Sequence, residues 1–213
     1  MSGPEKLSRE RAKEQTRQII IEHSKEEFLK NGYLNVSVRS LAKSANLTSG
    51  AIYTHFKDKA ELFECLVRPA LSELKALLSE VHKERMGHLS GKGDLPGLGI
   101  GLGKLKTMVG KIYDHFTEFR LLMVSSAGSG QENFLKGISE YYSECSAQYL
   151  AALRKSGIHV LPVEPETLRI LSYAYFTAIF EIVGQNLPKE RAEVCIVPLF
   201  KFFQPGWDKL VTS

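Results

Sequence analysis

The sequence predicts an all-α fold, and three observations carry that prediction. No stretch alternates polar and apolar residues with period two over a useful length. Apolar residues instead recur at three- and four-residue spacings in one segment after another. Between these segments stand the residues that start and stop helices: glycine, proline, serine, threonine and asparagine. About nine helices are expected.

The first runs from Arg9 to Asn31. Charged residues dominate its start, and Ile19, Ile20, Ile21, Phe28 and Leu29 supply apolar surface. Ile21 and Phe28 share a face. Gly32 sits where a helix end needs a residue that tolerates positive φ. Tyr33 and Leu34 would then fold back onto the stripe. Ser37 is a good N-cap for a short second helix. In that helix Val38, Leu41, Ala42 and Ala45 form one buried face. Asn46 suits a left-handed turn, and Thr48 caps a third helix whose Ile52 and Phe56 point inward.

Asp58 caps a longer helix, Lys59 to Arg85, in which Pro69 removes the bond to the Cys65 carbonyl and predicts a kink. That kink lies between the N-terminal segment and the rest, where it would help set the orientation of the head. Residues 87–103 contain seven glycines and read as a flexible loop. Gly103-Lys104 is not a phosphate loop, because Leu98 and Leu105 stand where such a loop needs glycine and Ser/Thr. Leu102 to Phe116, the short segment Phe119 to Val124, and Phe134 to about Gly157 read as further helices. Pro165 to Gln185 is apolar around much of its circumference, which predicts burial on several sides. The last helix starts at Pro188, carries Pro198, and runs to about Phe203.

Composition narrows the function. Hydrophobic residues at 43% and charged residues at 24% are ordinary globular values, and 213 residues suffice for a small domain and a larger one. No apolar run approaches the roughly 18–20 residues of a membrane span. The charged N-terminus lacks the apolar core of a secretory signal. A cytoplasmic protein without membrane contact is expected. Cys65, Cys145 and Cys195 are an odd number at wide spacing, which fits reduced thiols rather than disulfides or zinc. His82 and His88 are too loosely placed for a metal site, so no metal and no cofactor are expected. Residues 1–60 hold 11 Lys/Arg against 7 Asp/Glu, whereas residues 61–213 hold 17 of each. All the positive excess lies in the N-terminal segment, which favours a polyanion as partner.

A helix that enters the major groove needs small or polar residues at its N-terminal end and a packed opposite face. Thr48, Ser49 and Gly50 meet that need, and Gly50 allows close approach of backbone to bases. Ser37, Tyr53, His55 and Lys59 suit phosphate oxygens. Arg39 and Thr54 complete the candidate set. Spacing alone leaves open a helical hairpin whose polar side faces water.

The residues Ile20-Ile21, Phe28, Gly32-Tyr33, Ser37-Val38-Arg39, Leu41-Ala42, Leu47-Thr48, Gly50, Ile52-Tyr53, His55-Phe56, Lys59 and Leu62 resemble the N-terminal signature of the TetR family of transcriptional regulators. Glu27, His23 and Ala60 depart from the usual pattern. The resemblance implies a DNA-binding helix-turn-helix domain at residues 1–60 and an effector-binding and dimerisation domain at residues 61–213. It implies a homodimer that sets its third helices into successive major grooves of a near-palindromic operator. The last two helices of each subunit would pair across a twofold axis, and Phe176, Phe180, Leu199, Phe202 and Phe203 offer apolar surface for that. A small-molecule effector would bind among the middle helices, with Tyr113, Phe116, Phe119, Met123, Tyr142, Tyr149, Tyr173 and Phe176 as candidate lining residues. No buried charge cluster is legible, which favours a largely apolar effector that releases a repressor from DNA. No catalytic constellation with convincing spacing is present, so an enzyme is not expected. The alternative is a helical interaction module whose head binds a protein instead of DNA.

Overall fold

The computed structural model describes residues 3–89 and 97–211. Nine α helices and one π-helical turn form among them, with no strand. They are α1 (Gly3–Asn31), α2 (Val38–Ser44), α3 (Ser49–Tyr53), α4 (Lys59–His88), α5 (Leu102–Asp114), α6 (Phe116–Arg120), the π turn (Leu121–Ser125), α7 (Phe134–Lys155), α8 (Pro165–Gly184) and α9 (Lys189–Lys209). The all-α expectation holds. Helix α1 starts ahead of Arg9 because the preceding residues are mostly good helix formers. Helix α4 continues through Pro69 to His88.

The chain divides into two compact units. The first runs to Pro69 and takes in Thr117–Glu132; the second holds Ala70–Phe116 and the residues from Asn133 onward. In the first unit α1 buries Ile20, Ser24 and Phe28. Three consecutive isoleucines leave the phase of this stripe ambiguous in the sequence. The structure sets it on Ile20, with Ile19 exposed and Ile21 half-buried. Gly32 adopts φ +75°, as a left-handed helix stop requires. Tyr33 turns back and packs with Phe28 and Phe63, ring centroids 5.2 to 5.7 Å apart. Leu34 does not follow; it stays 67% exposed. Lys25 pairs with Glu118, and the Tyr33 N–H donates to the Ser125 carbonyl at 2.9 Å. Residues 117–132 are thereby fastened to α1 and the turn after it.

In the second unit α7 and α8 pack along their lengths, and α9 lies against α5 and α8. Leu105, Met108, Tyr142, Tyr149, Phe176, Phe180 and Ile196 are interior. The sequence predicts α8 buried on several sides, but Ile170 is 68% and Tyr173 49% exposed on one face. Phe176 and Phe180, expected on an intersubunit surface, are buried within this unit. Phe202 on α9, also expected there, is exposed, as are Ile170 and Tyr173 on α8 and Val194 on α9. Helix α9 passes Phe203 and reaches Lys209 because Pro198 and Pro205 both fall on its exposed side, where a missing N–H is tolerated. Of the expected glycine-rich loop, residues 90–96 lie outside the described residues. The part that follows is packed: Leu98 and Ile100 are fully buried.

Candidate nucleic-acid interface

Local chemistry builds the α2–α3 hairpin. The Ser37 hydroxyl accepts from the Ser40 N–H at 3.0 Å, and Ser40 Oγ accepts from the Ser37 N–H at 2.9 Å. This is a capping box with serine in the place usually held by Glu or Gln. Asn46 takes φ 55°, and the Leu47 N–H closes on the Ala42 carbonyl at 2.8 Å. The Thr48 hydroxyl caps α3 by accepting from the Ala51 N–H at 3.1 Å. Asp58 caps α4 through the Glu61 N–H at 2.8 Å, while Glu61 reaches back to the Lys57 N–H at 2.6 Å. Behind these caps Leu41, Ala42, Ala45, Ile52 and Phe56 are buried. The hairpin therefore has one apolar side fixed to the unit's core.

Its other side carries the expected contact residues. Ser37, Arg39, Thr48, Gly50, Tyr53 and Thr54 are exposed, and Ser49 is half-buried. Ser37, Arg39, Ser40, Lys43, Thr48 and Ser49 line one open groove. Lys43 was not singled out in the sequence, although its place one turn after Arg39 makes it findable. The Thr54 hydroxyl donates back to the Gly50 carbonyl at 2.9 Å, so only its lone pairs remain for a partner.

Two residues stand differently from their neighbours. Lys59 is partly buried and donates to the Tyr33 and Val36 carbonyls, each at 2.7 Å, with its ammonium 4.0 Å from the Tyr33 ring. Burial holds its pKa below the usual lysine value. Two of its three protons are committed within the unit, and one is left for a phosphate. His55 is half-buried, and its Nδ1 has no partner among the described residues. Its pKa is lowered, first by burial and then by the charges of Lys13 and Arg17. The imidazole is thus held neutral at pH 7 and offers a hydrogen bond rather than a charge.

A family model described as "Bacterial regulatory proteins, tetR family" matches residues 20–66, the segment that forms this hairpin and its supports. Over those residues the chain is similar to the tetR family. Curated relatives agree over the same part. The "Probable acrEF/envCD operon repressor" of Escherichia coli K12 is 41% identical over 61 residues, 28% of either chain. The "HTH-type transcriptional regulator AcrR" of Shigella flexneri is 44% identical over 50 residues, 24% of this chain and 23% of that one. The chain thus spans under a third of the length of these relatives. Solved structures match nearly throughout. A TetR-family regulator from Rhodococcus sp. has TM-score 0.55 at 16% identity, covering 89% of this chain and 99% of that one. NalD, the secondary repressor of the MexAB-OprM multidrug efflux pump in Pseudomonas aeruginosa, has TM-score 0.54 at 20% identity, covering 94% and 98%. At such identities these likenesses speak for the fold.

The candidate effector residues are distributed over both units. Phe119 and Met123 belong to the first; Tyr113, Phe116, Tyr142, Tyr149, Tyr173 and Phe176 belong to the second. Within the second unit Tyr142 meets Phe176 edge-on, at a centroid distance of 5.2 Å. Tyr113 and Phe116 stack at 4.9 Å, and the Tyr113 hydroxyl donates to the Leu187 carbonyl at 2.6 Å. Tyr173 faces outward with Ile170, beside Asn133, Lys136 and Arg169. Burial raises the pKa values of Tyr142, Tyr149 and Tyr175, so these phenols stay neutral. Sequence reasoning missed Arg85 and Trp207, both 3% exposed. Among the described residues no group of His, Cys, Asp and Glu could hold a metal, and no helix is long and apolar enough to cross a membrane.

Proposed function

We propose that this protein is a DNA-binding transcriptional regulator that acts as a homodimer. One observation carries the reading: the α2–α3 hairpin presents Arg39, Lys43, Thr48, Gly50 and Tyr53 to solvent while its other side is fixed in the core. An immobile scaffold with a polar, partly basic outer side is what major-groove docking needs. In this reading Thr48, Ser49 and Gly50 approach base edges, and Ser37, Arg39, Tyr53, Thr54, His55 and Lys59 hold the backbone on either side. Residues 1–60 do the reading; residues 61–213 pair the subunits and sense an effector. Its sequence-level relatives include a probable operon repressor, which supports repression as the mode of action.

Dimerisation is supported by the exposed apolar side chains of α8 and α9, Ile170, Tyr173, Val194 and Phe202. They are large, and single helices of a monomer do not ordinarily leave such a set in water. Two copies joined by a twofold axis would read a near-palindromic operator. A small effector with a largely apolar body, bound in the aromatic interior of the second unit, would release the DNA.

The test is a gel-shift and footprint survey of DNA upstream of the protein's own gene and across the genome. A protected near-palindrome is expected, bound well above the salt-sensitive background. Binding to every fragment alike, or to none, would refute the reading. A monomeric mass by light scattering would refute the dimer.

A further inference from the structure

Arg85, near the end of α4, is 3% exposed, yet no carboxylate among the described residues is ion-paired with it. Its two terminal nitrogens are treated unequally. The two N–H groups of Nη2 are shared among the Leu98 carbonyl, the Gly99 carbonyl at 2.8 Å and the Tyr142 hydroxyl at 2.6 Å. Nη1 is buried and has no partner among the described residues. The guanidinium lies 5.1 Å from the Tyr142 ring centroid. Trp207 meets the same ring edge-on, 6.4 Å between centroids, and its buried Nε1 is also without a partner among the described residues. Tyr142 itself donates to the Leu98 carbonyl, so that one carbonyl oxygen already serves two donors.

Among the described residues the cluster therefore has more donors than acceptors, and a full positive charge with no counter-charge. Burying a guanidinium costs several kcal/mol unless it is paired and hydrogen-bonded. The missing partner must be acceptor-only, negative and able to meet two N–H groups. A carboxylate has those properties, and its two oxygens match the flat fork of a guanidinium. The surrounding surface consists of Tyr142, Tyr175, Phe176 and Trp207, which suits an apolar or aromatic body attached to that carboxylate.

We propose that Arg85 and Trp207 form an anion-reading site for an organic acid, whose carboxylate binds Arg85 Nη1 and Trp207 Nε1 while its apolar body rests among Tyr142, Tyr175 and Phe176. This rests on the reading of the second unit as an effector sensor, and gives that effector a charged end. The cluster is closed to solvent, so the acid enters as the packing of Leu98 to Ile100 over it yields. The Leu98 and Gly99 carbonyls are the acceptors with which the carboxylate competes for Arg85. Binding is thus coupled to a rearrangement inside the unit, which a regulator requires.

Trp207 is the chain's single tryptophan, so its emission reports on this site alone. The full-length protein is titrated with benzoate, phenylacetate, octanoate and decanoate, each against its primary amide, by Trp207 fluorescence and by calorimetry. At least one acid is expected to bind saturably and about tenfold or more tighter than its amide. Arg85→Gln should bind the two equally. Trp207→Phe, followed by calorimetry, should weaken the acid several-fold and leave the amide unchanged. No preference for any acid overturns the site, as does a preference that survives in Arg85→Gln. If circular dichroism shows Arg85→Gln unfolded, Trp207→Phe decides: undiminished acid binding there overturns the site. A protein that prefers acids but binds no DNA upholds the site and refutes the regulator reading. One that binds its operator but shows no acid preference does the reverse.

Discussion

Arg39 and Arg85 belong to one chain and live under opposite conditions. Arg39, at the start of α2, is exposed and has no ion pair among the described residues. Arg85 is sealed among tyrosines and backbone carbonyls. A surface guanidinium keeps its hydration and meets a polyanion through a screened, salt-dependent attraction. A buried one has lost its hydration, so any partner it accepts must replace water bond for bond. On the proposed reading, the first unit meets a ligand of uniform charge from outside and the second distinguishes among small molecules from inside.

Substitution should bring that contrast out. Arg85→Leu should destabilise the protein by about 2–3 kcal/mol in urea unfolding, because the Leu98 and Gly99 carbonyls lose a charged donor. A loss under about 0.5 kcal/mol would mean that water serves those carbonyls equally well, and the contrast would fail. Ser37→Ala should cost about 1 kcal/mol, since it removes the α2 cap and half of the capping box. Tyr53→Phe should weaken DNA binding a few-fold, by about 1 kcal/mol or less, and equally on all sequences. A loss confined to one sequence would move Tyr53 from the backbone to the bases. Arg39→Ala should change stability by less than about 0.5 kcal/mol while lowering the salt dependence of DNA binding by about one phosphate contact.

The histidines give a pH version of the same comparison, one in each unit. His55 and His82 both have lowered pKa values, chiefly through burial. A histidine depressed in the folded state binds its proton more readily when unfolded. Stability is therefore full above the ordinary histidine value near 6.5 and falls as the pH drops through and below it. His55→Gln and His82→Gln should each flatten unfolding curves measured between about pH 7 and 5. A curve that stays as steep in either variant would show that the histidine is not the group titrating.

What was legible in the sequence follows from where each signal originates. Helix existence and most caps are local properties. Gly32, Ser37, Asn46, Thr48 and Asp58 do in the structure what their chemistry suggests. The exposed side of α2 and α3 was legible for the same reason, because a packed face of Leu41, Ala42 and Ile52 defines its opposite. Tertiary burial is not local. Arg85 lies near a helix end ahead of a glycine-rich stretch, where an arginine ordinarily faces water. Trp207 follows two prolines and looked as if it lay beyond the last helix. Both are interior because distant segments close over them. Helix α8 erred the other way. Its all-round apolar pattern suggested burial within the chain, yet Ile170 and Tyr173 face outward.

The glycines after residue 96 constrain sequence drift unevenly. A Cβ at Gly97 would fall 1.9 Å from Asp208 Oδ1 and 3.3 Å from the Asp208 Cα, so the obstacle includes backbone. At Gly99 the obstacle is the end of the Gln204 side chain, with Oε1 at 2.1 Å, which can swing aside. Gly101 and Gly103 would meet nothing within 4 Å. In a saturation-mutagenesis map, tolerance should therefore rise along this stretch from Gly97 through Gly99 to Gly101. What resembles a monotonous spacer would act as a graded filter on inherited variation, strictest where the chain returns to cover Arg85.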